Sequence, residues 1–227
     1  MWSSRFASAL ALGLALAAPA QAGAAAPPRV QAQLVTRAGK VYGPRTVALA
    51  GARVNGCRLA AGLPVDALVA LRSAAGAPAF RANGGCSSLY VFQVGSDRAR
   101  GVAGWVYKVG RRLPDVGASD PSARLHGSQQ VTWFWCVDAA SCQRTLEVRA
   151  PARVTAGARV TVTVTAYDDH GRGVPATGAT VALGSARGTA GSGGRVTLTA
   201  PARRGRVRVS ATERGLVPAF PREVSVG

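Results

Sequence analysis

His126 and His170 are the only imidazoles in the chain, and they are the first place where acid–base chemistry could reside. Both lie in polar, glycine-containing stretches read as loops. A Ser–His–Asp system needs its nucleophile on a sharp strand-to-helix elbow of the GxSxG kind. Gly191-Ser192-Gly193-Gly194 is instead a flexible hairpin turn. Asp168-Asp169-His170-Gly171 could suggest a cation site, but it lacks the spaced oxygen ligands of a calcium loop and reads better as a polar turn. Asp115 and Asp120 flank a loop with no second acid–base feature beside them. No glycine-rich phosphate loop follows a strand and opens a helix. The chain is therefore expected not to be an enzyme, and its residues call for no metal and no cofactor.

The binding candidates are aromatic. Between Gly104 and Val137 lie three of the chain's four tryptophans. Trp105, Tyr107 and Val109 alternate with Val106 and Lys108. Farther on, Val131, Trp133, Trp135 and Val137 alternate with Thr132, Phe134 and Cys136. Alternate residues of a strand face opposite ways, so each strand can turn one aromatic row inward. Trp105, Tyr107, Trp133 and Trp135 could form a platform for a flat ligand or a sugar ring. Plain core packing is the favoured reading of the same four rings. Arg111 and Arg112, next to this cluster, could add a cation–π contact or hold a polyanion.

Twenty-eight basic side chains against 10 acidic ones give a formal net charge of +18. Only Lys40 and Lys108 are lysines; the rest are arginines, including a run at Arg203, Arg204, Arg206 and Arg208. Abundant Arg, Ala, Gly and Pro is what a GC-rich bacterial genome encodes. Such a charge makes a protein adhere to polyanions, less so at high salt. Arg5, an apolar run from Phe6 to Ala18, and Ala20-Gln21-Ala22 read as a signal peptide over residues 1–22, cut before Gly23. The apolar run falls short of the roughly 20 residues that a membrane span needs. The mature chain is expected to be secreted, extracellular or wall-associated, without a membrane span, and monomeric. Nucleic acid is not expected as a partner; a cell-wall polyanion or glycan is, with a small flat ligand as the alternative.

Export gives the four cysteines meaning: an even count in an oxidising compartment implies two disulfides. Three pairings are open, and the sequential one, Cys57–Cys86 with Cys136–Cys142, is favoured. Zinc-like CxxC spacing is missing.

These residues need elements to position them. Residues 23–29 read as a disordered stub. Strands are expected at Val30–Thr36 and Thr46–Val54, with a turn over Gly39–Pro44 between them, and at Ser88–Val94. Two aromatic strands and a last strand at Gln143–Arg149 complete the set. One helix is expected over Leu63–Ala75: Pro64 suits its first turn, Asp66 suits the positive end of its dipole, and Leu63, Ala67, Leu68 and Leu71 form an apolar stripe. Gly104, Trp105, Tyr107 and Val109, then Trp133 and Trp135, with the helix carrying Pro64, Ala67 and Leu68, resemble the transcobalamin-like C-terminal domain family over about residues 30–149. The chain departs from that pattern at Val109-Gly110, where the family often has Val-Asn-Gly. The resemblance implies a β-grasp-like fold, and cobalamin only as a ligand of the namesake.

After a linker at residues 150–157 the texture changes to Val, Thr and Gly. Strands are expected at Arg159–Tyr167, Ala179–Leu183, Arg195–Thr199, Arg206–Thr212 and Glu223–Val226, a spacing typical of a β-sandwich. Gly173-Val174-Pro175, Gly178-Ala179-Thr180-Val181, Gly194-Arg195-Val196-Thr197-Leu198 and Val209-Ser210-Ala211-Thr212 resemble bacterial immunoglobulin-like or carboxypeptidase-regulatory-like domains over about residues 152–227, with the domain itself expected at 158–227. The expected class is thus α+β then all-β: a β-grasp-like domain with one helix, followed by an Ig-like β-sandwich. The expected role is a non-enzymatic binding or spacer module of the envelope or extracellular space. The alternative is a carrier that holds a corrinoid or similar flat ligand through the aromatic cluster.

Overall fold

Strict alternation of apolar and polar residues puts strands where one side chain in two can be buried, and most of the chain takes that form. The computed structural model describes residues 26–227. The signal peptide expected at 1–22, and the first residues of the expected stub, lie outside the described residues.

In chain order the first part runs β1 (Arg29–Val35), β2 (Val41–Ala48), β3 (Ala52–Val54), β4 (Cys57–Leu59), α1 (Pro64–Ala75), β5 (Phe80–Asn83), β6 (Tyr90–Val94), β7 (Asp97–Arg98), β8 (Gly104–Val109) and β9 (Gln130–Cys136). Four of these make a mixed sheet in the order β2-β1-β9-β8. Two antiparallel pairs form its outer halves, and β1 runs parallel to β9 at its centre. Helix α1 crosses one face and buries Val65, Leu68 and Leu71 against Val30, Leu34, Trp133 and their neighbours. Asp66 at its third position accepts the N–H of Leu63, and Gly76, at φ 64°, ends it in the left-handed conformation. A three-stranded sheet, β5-β6-β7, flanks this core.

The expected strand at Thr46–Val54 divides in two. Gly51 sits at φ 83°, where an added Cβ would lie 2.7 Å from the Leu59 carbonyl oxygen. The chain turns there, so its first residues close β2 and its last open the β3–β4 hairpin. The turn expected over Gly39–Pro44 is shorter, since β2 already starts at Val41.

The second part runs β10 (Thr145–Arg149), β11 (Arg153–Val154), β12 (Arg159–Tyr167), β13 (Gly173–Pro175), β14 (Thr180–Leu183), β15 (Ala186–Thr189), β16 (Arg195–Thr199), β17 (Gly205–Thr212) and β18 (Arg222–Val226). One sheet has β12 flanked by β10 on one edge and by β13 and β16 on the other. The other has the order β11-β18-β17-β14-β15. Inward residues of both sheets, among them Val148, Val162, Val164, Val181, Leu183 and Val209, share one apolar core. The arrangement is sandwich-like.

Two expectations about the junction differ from the structure. Residues 143–149 were expected to close the first part, but β10 pairs along its whole length with β12. Leu146 and Val148 point into the sandwich core, so that is where the strand's burial is satisfied. The linker expected at 150–157 contains β11, which pairs with β18.

Disulfides join Cys57 to Cys86 and Cys136 to Cys142. The first ties the β3–β4 hairpin to the loop before β6. The second sits where the chain passes from the first part to the second.

A candidate binding cleft between the two parts

The aromatic centre is closed. Trp105, Tyr107, Trp133 and Trp135 are all buried, none more than 6 % exposed. They pair across β8 and β9, Trp105 edge-on to Trp135 at 5.6 Å and Tyr107 beside Trp133 at 5.3 Å. Their polar atoms are spent on backbone: Trp133 Nε1 donates to Pro64 O at 3.0 Å, Trp105 Nε1 to Asp97 O at 2.9 Å, and Tyr107 hydroxyl to Val116 O at 2.9 Å. Burial pushes the Tyr107 hydroxyl up to about 12, with the Asp120 charge adding to it. The ligand platform expected of these four residues is therefore corrected: with all four side chains buried and their polar atoms bonded to backbone, they are core.

The opposite face of the same sheet is unusual for a buried surface because its side chains are polar. Register places Thr46, Gln31 and Gln130 in one row across β2, β1 and β9. The next row is Gln33, Thr132 and Lys108, and the third is Val35, Phe134 and Val106. The second part packs against this face at a slant. At the tight end, Val35, Phe134, the Cys136–Cys142 pair and Val217 form a small apolar cluster. In the middle row Gln33 Nε2 donates to Thr132 Oγ1 at 3.3 Å and to Pro218 O at 3.1 Å. Toward Gln31 and Gln130 the two parts separate. The space between them is a cleft of about 750 Å³, within the roughly 300–1,000 Å³ range of ligand sites.

Three contacts fix the walls. Lys108 is wholly buried; its Nζ lies 3.1 Å from Asp169 Oδ1 and donates to Tyr167 O at 3.3 Å. Burial lowers the Lys108 ammonium below the usual lysine range, against the pull of the Asp169 carboxylate. Asp169 also accepts the Cys142 N–H at 2.9 Å, so the disulfide loop and the ion pair brace each other. Arg111 grips Glu147 with two bonds of 2.6 and 2.8 Å, and its guanidinium stacks 4.5 Å over the Tyr167 ring. Burial works against the Glu147 charge, but Arg111 and Arg149 outweigh it and hold the carboxyl below its usual range.

Arg111 therefore belongs to the cleft. Arg112, its neighbour, does not line it. Its backbone bridges His170 across the junction, and Leu113 N–H donates to Asp169 O at 2.9 Å. The Asp168–Gly171 stretch is the polar turn expected of it. Asp168 Oδ1 accepts the N–H of Arg172 at 2.8 Å and of His170 at 3.0 Å, and the first of these holds its carboxyl below the usual range. Among the described residues, no three His, Cys, Asp or Glu side chains converge on one point.

The polar outer row is hard to read from pattern because the aromatic alternates carry the stronger signal on the same strands. A signal was present in R-V-Q-A-Q-L-V: glutamines alternating with apolar residues mark a strand whose second face is neither core nor fully solvated.

Fold and site together define a mostly-β chain of two packed parts enclosing one polar, arginine-rimmed cleft. No protein-family model matches the chain, and neither a curated protein nor a solved structure matches it.

Proposed function

We propose that the chain is an exported, non-catalytic binding or spacer module of a bacterial envelope or extracellular space, and that the interdomain cleft is its binding surface. The single observation that carries this reading is the cleft itself. It is a rigidly braced cavity with a polar floor in a chain of net charge +18. Two disulfides suit an oxidising compartment, and among the described residues no helix is long and apolar enough to cross a membrane.

The β2-β1-β9-β8 order, with its crossing helix, supports the β-grasp-like assignment and the resemblance to the transcobalamin-like C-terminal domain. The shared core of the two later sheets supports an Ig-like sandwich. The alternative carrier role loses its proposed seat, since the four rings have no free face; a corrinoid would have to use the cleft.

The test is co-sedimentation of the oxidised protein with isolated envelope across a salt series, with Arg45→Ala/Arg222→Ala and Trp105→Ala compared. Retention that weakens with salt yet persists at high salt is expected, and the arginine pair should lower its salt-sensitive part. Trp105→Ala is expected to lower the melting temperature and to change binding only as far as it unfolds the chain. No sedimentation at any salt would overturn the envelope role.

A further inference from the structure

The chemistry of the cleft floor says more about the ligand than the net charge does. This inference rests on the reading of the cleft as the binding surface. A site meant only for negative charge needs cations and little else. Here the open end is floored by uncharged groups that both give and take hydrogen bonds. Gln130 Nε2 donates to Gln31 Oε1 at 2.9 Å. Whichever way the two amides are turned, this pairing leaves one NH₂ group and one amide oxygen without a partner among the described residues. Thr46 adds a hydroxyl in the same row, paired with Gln31 across β1 and β2. Such a mixed row matches the hydroxyls of a sugar, which are also donors and acceptors at once.

Charge enters at the rim. Arg111 is neutralised by Glu147 and held flat on Tyr167, so it acts as wall. Arg45 reaches only the carbonyls of Ala74 and Pro44, each at 3.3 Å, and Arg208 and Arg222 make no ion pair among the described residues. All three line the cleft. Guanidiniums in this state are free to bind a carboxylate, phosphate or sulfate with two parallel bonds. The apolar cluster around Phe134 and Val217 seals the narrow end, so a ligand enters along the open row.

We infer that the cleft takes an acidic polysaccharide: a chain of hydroxyl-bearing sugars with regularly spaced negative charge. The sugar hydroxyls lie over Thr46, Gln31 and Gln130, and the charged groups meet Arg45, Arg208 and Arg222.

The test is titration calorimetry on the oxidised protein with four probes at low and high salt. They are an oligogalacturonide, its fully methyl-esterified form, a dextran sulfate oligomer, and polyglutamate matched in charge to the first. Carboxylated and sulfated sugars separate the two sources of charge. The expected result is that at least one acidic sugar binds about tenfold more tightly than polyglutamate, the worth of about one or two neutral hydrogen bonds to the amide row, and keeps measurable affinity at high salt. Gln31→Leu/Gln130→Leu should remove that tenfold advantage and leave the salt dependence unchanged. Arg45→Ala/Arg222→Ala should instead flatten the salt dependence. All four positions are at the surface or half-buried, and melting curves check that both variants fold. Equal binding of polyglutamate, or equal binding of the esterified sugar, overturns the acidic-glycan assignment. Failure of every probe while envelope sedimentation persists overturns it too and leaves the binding module standing. Failure of both assays removes the module as well.

Discussion

Asp66→Asn should make the stability of the protein less dependent on pH, so that the variant gains on the wild type as pH rises toward neutrality. Asp66 is 2 % exposed at the start of α1. One carboxylate oxygen accepts the N–H groups of Gly62 and Leu63 at 3.1 and 3.2 Å; the other is buried with no partner. Burial pushes its pKa up to about 6 from 3.8, and the backbone N–H groups of Leu63 and Gly62 recover only part of the loss. A raised carboxyl pKa means the folded state prefers the protonated form. The stability it contributes is fully present below pH 3.8 and is lost as pH rises through about 6. The whole shift corresponds to at most about 3 kcal/mol, of which about 2 falls between pH 4.5 and 7.5. The amide keeps an acceptor for the two N–H groups and does not ionise. Urea unfolding of both oxidised proteins at pH 4.5 and 7.5 isolates this residue, because every other titrating group cancels in the double difference. The midpoint of the wild type should fall relative to the variant by about 1 M across that interval, for a chain of this size. A wild-type midpoint that instead rises with pH relative to Asp66→Asn would refute the reasoning. It would mean that the N–H donors, not burial, govern this carboxyl.

Two further outcomes follow from the backbone and the cross-links. Gly194 sits at φ 67°, where an added Cβ would collide with the Val164 carbonyl oxygen; Gly194→Ala should cost about 2–4 kcal/mol and lower the melting temperature by about 8 °C, read by calorimetry. The Cys57–Cys86 bond spans 29 positions and Cys136–Cys142 only 6. In the chain-entropy account, replacing the first pair by serine should cost about 3–4 kcal/mol and the second about 2, measured in urea without reductant. An equal loss from the two would show that bracing of Asp169 by the short loop matters more than its length.

Much of the strand pattern was legible because it rests on alternation within a few residues. Trp105, Tyr107, Trp133 and Trp135 could be assigned to one face from their spacing alone, and α1 from its stripe and its Pro64 start. What local pattern could not give was partnership. Leu146 and Val148 alternate well enough to be a strand of either part, and only the packing of β12 decides which. β13 and β15 are strands of three and four residues, too short for alternation to mark them. The cleft was hidden for a related reason. Gln31, Gln130 and Thr46 are about 100 and 15 positions apart in sequence and become neighbours only through sheet register. Lys108 gave a faint signal, as one of two lysines in an arginine-rich chain and set between apolar residues. The Asp169 that answers it lies in a turn of the other part.

The parallel pairing of β1 with β9 has a mechanical consequence. The chain enters the first part at the start of β1 and leaves it from the end of β9. Tension along the chain therefore drags these two central strands in opposite directions along their length. Their hydrogen bonds are loaded side by side in shear, and must give way together, whereas an antiparallel hairpin pulled from its open end unzips one bond at a time. A tether at a cell surface would be expected to hold under drag with this geometry, and the Cys136–Cys142 loop just beyond it can pay out almost no slack.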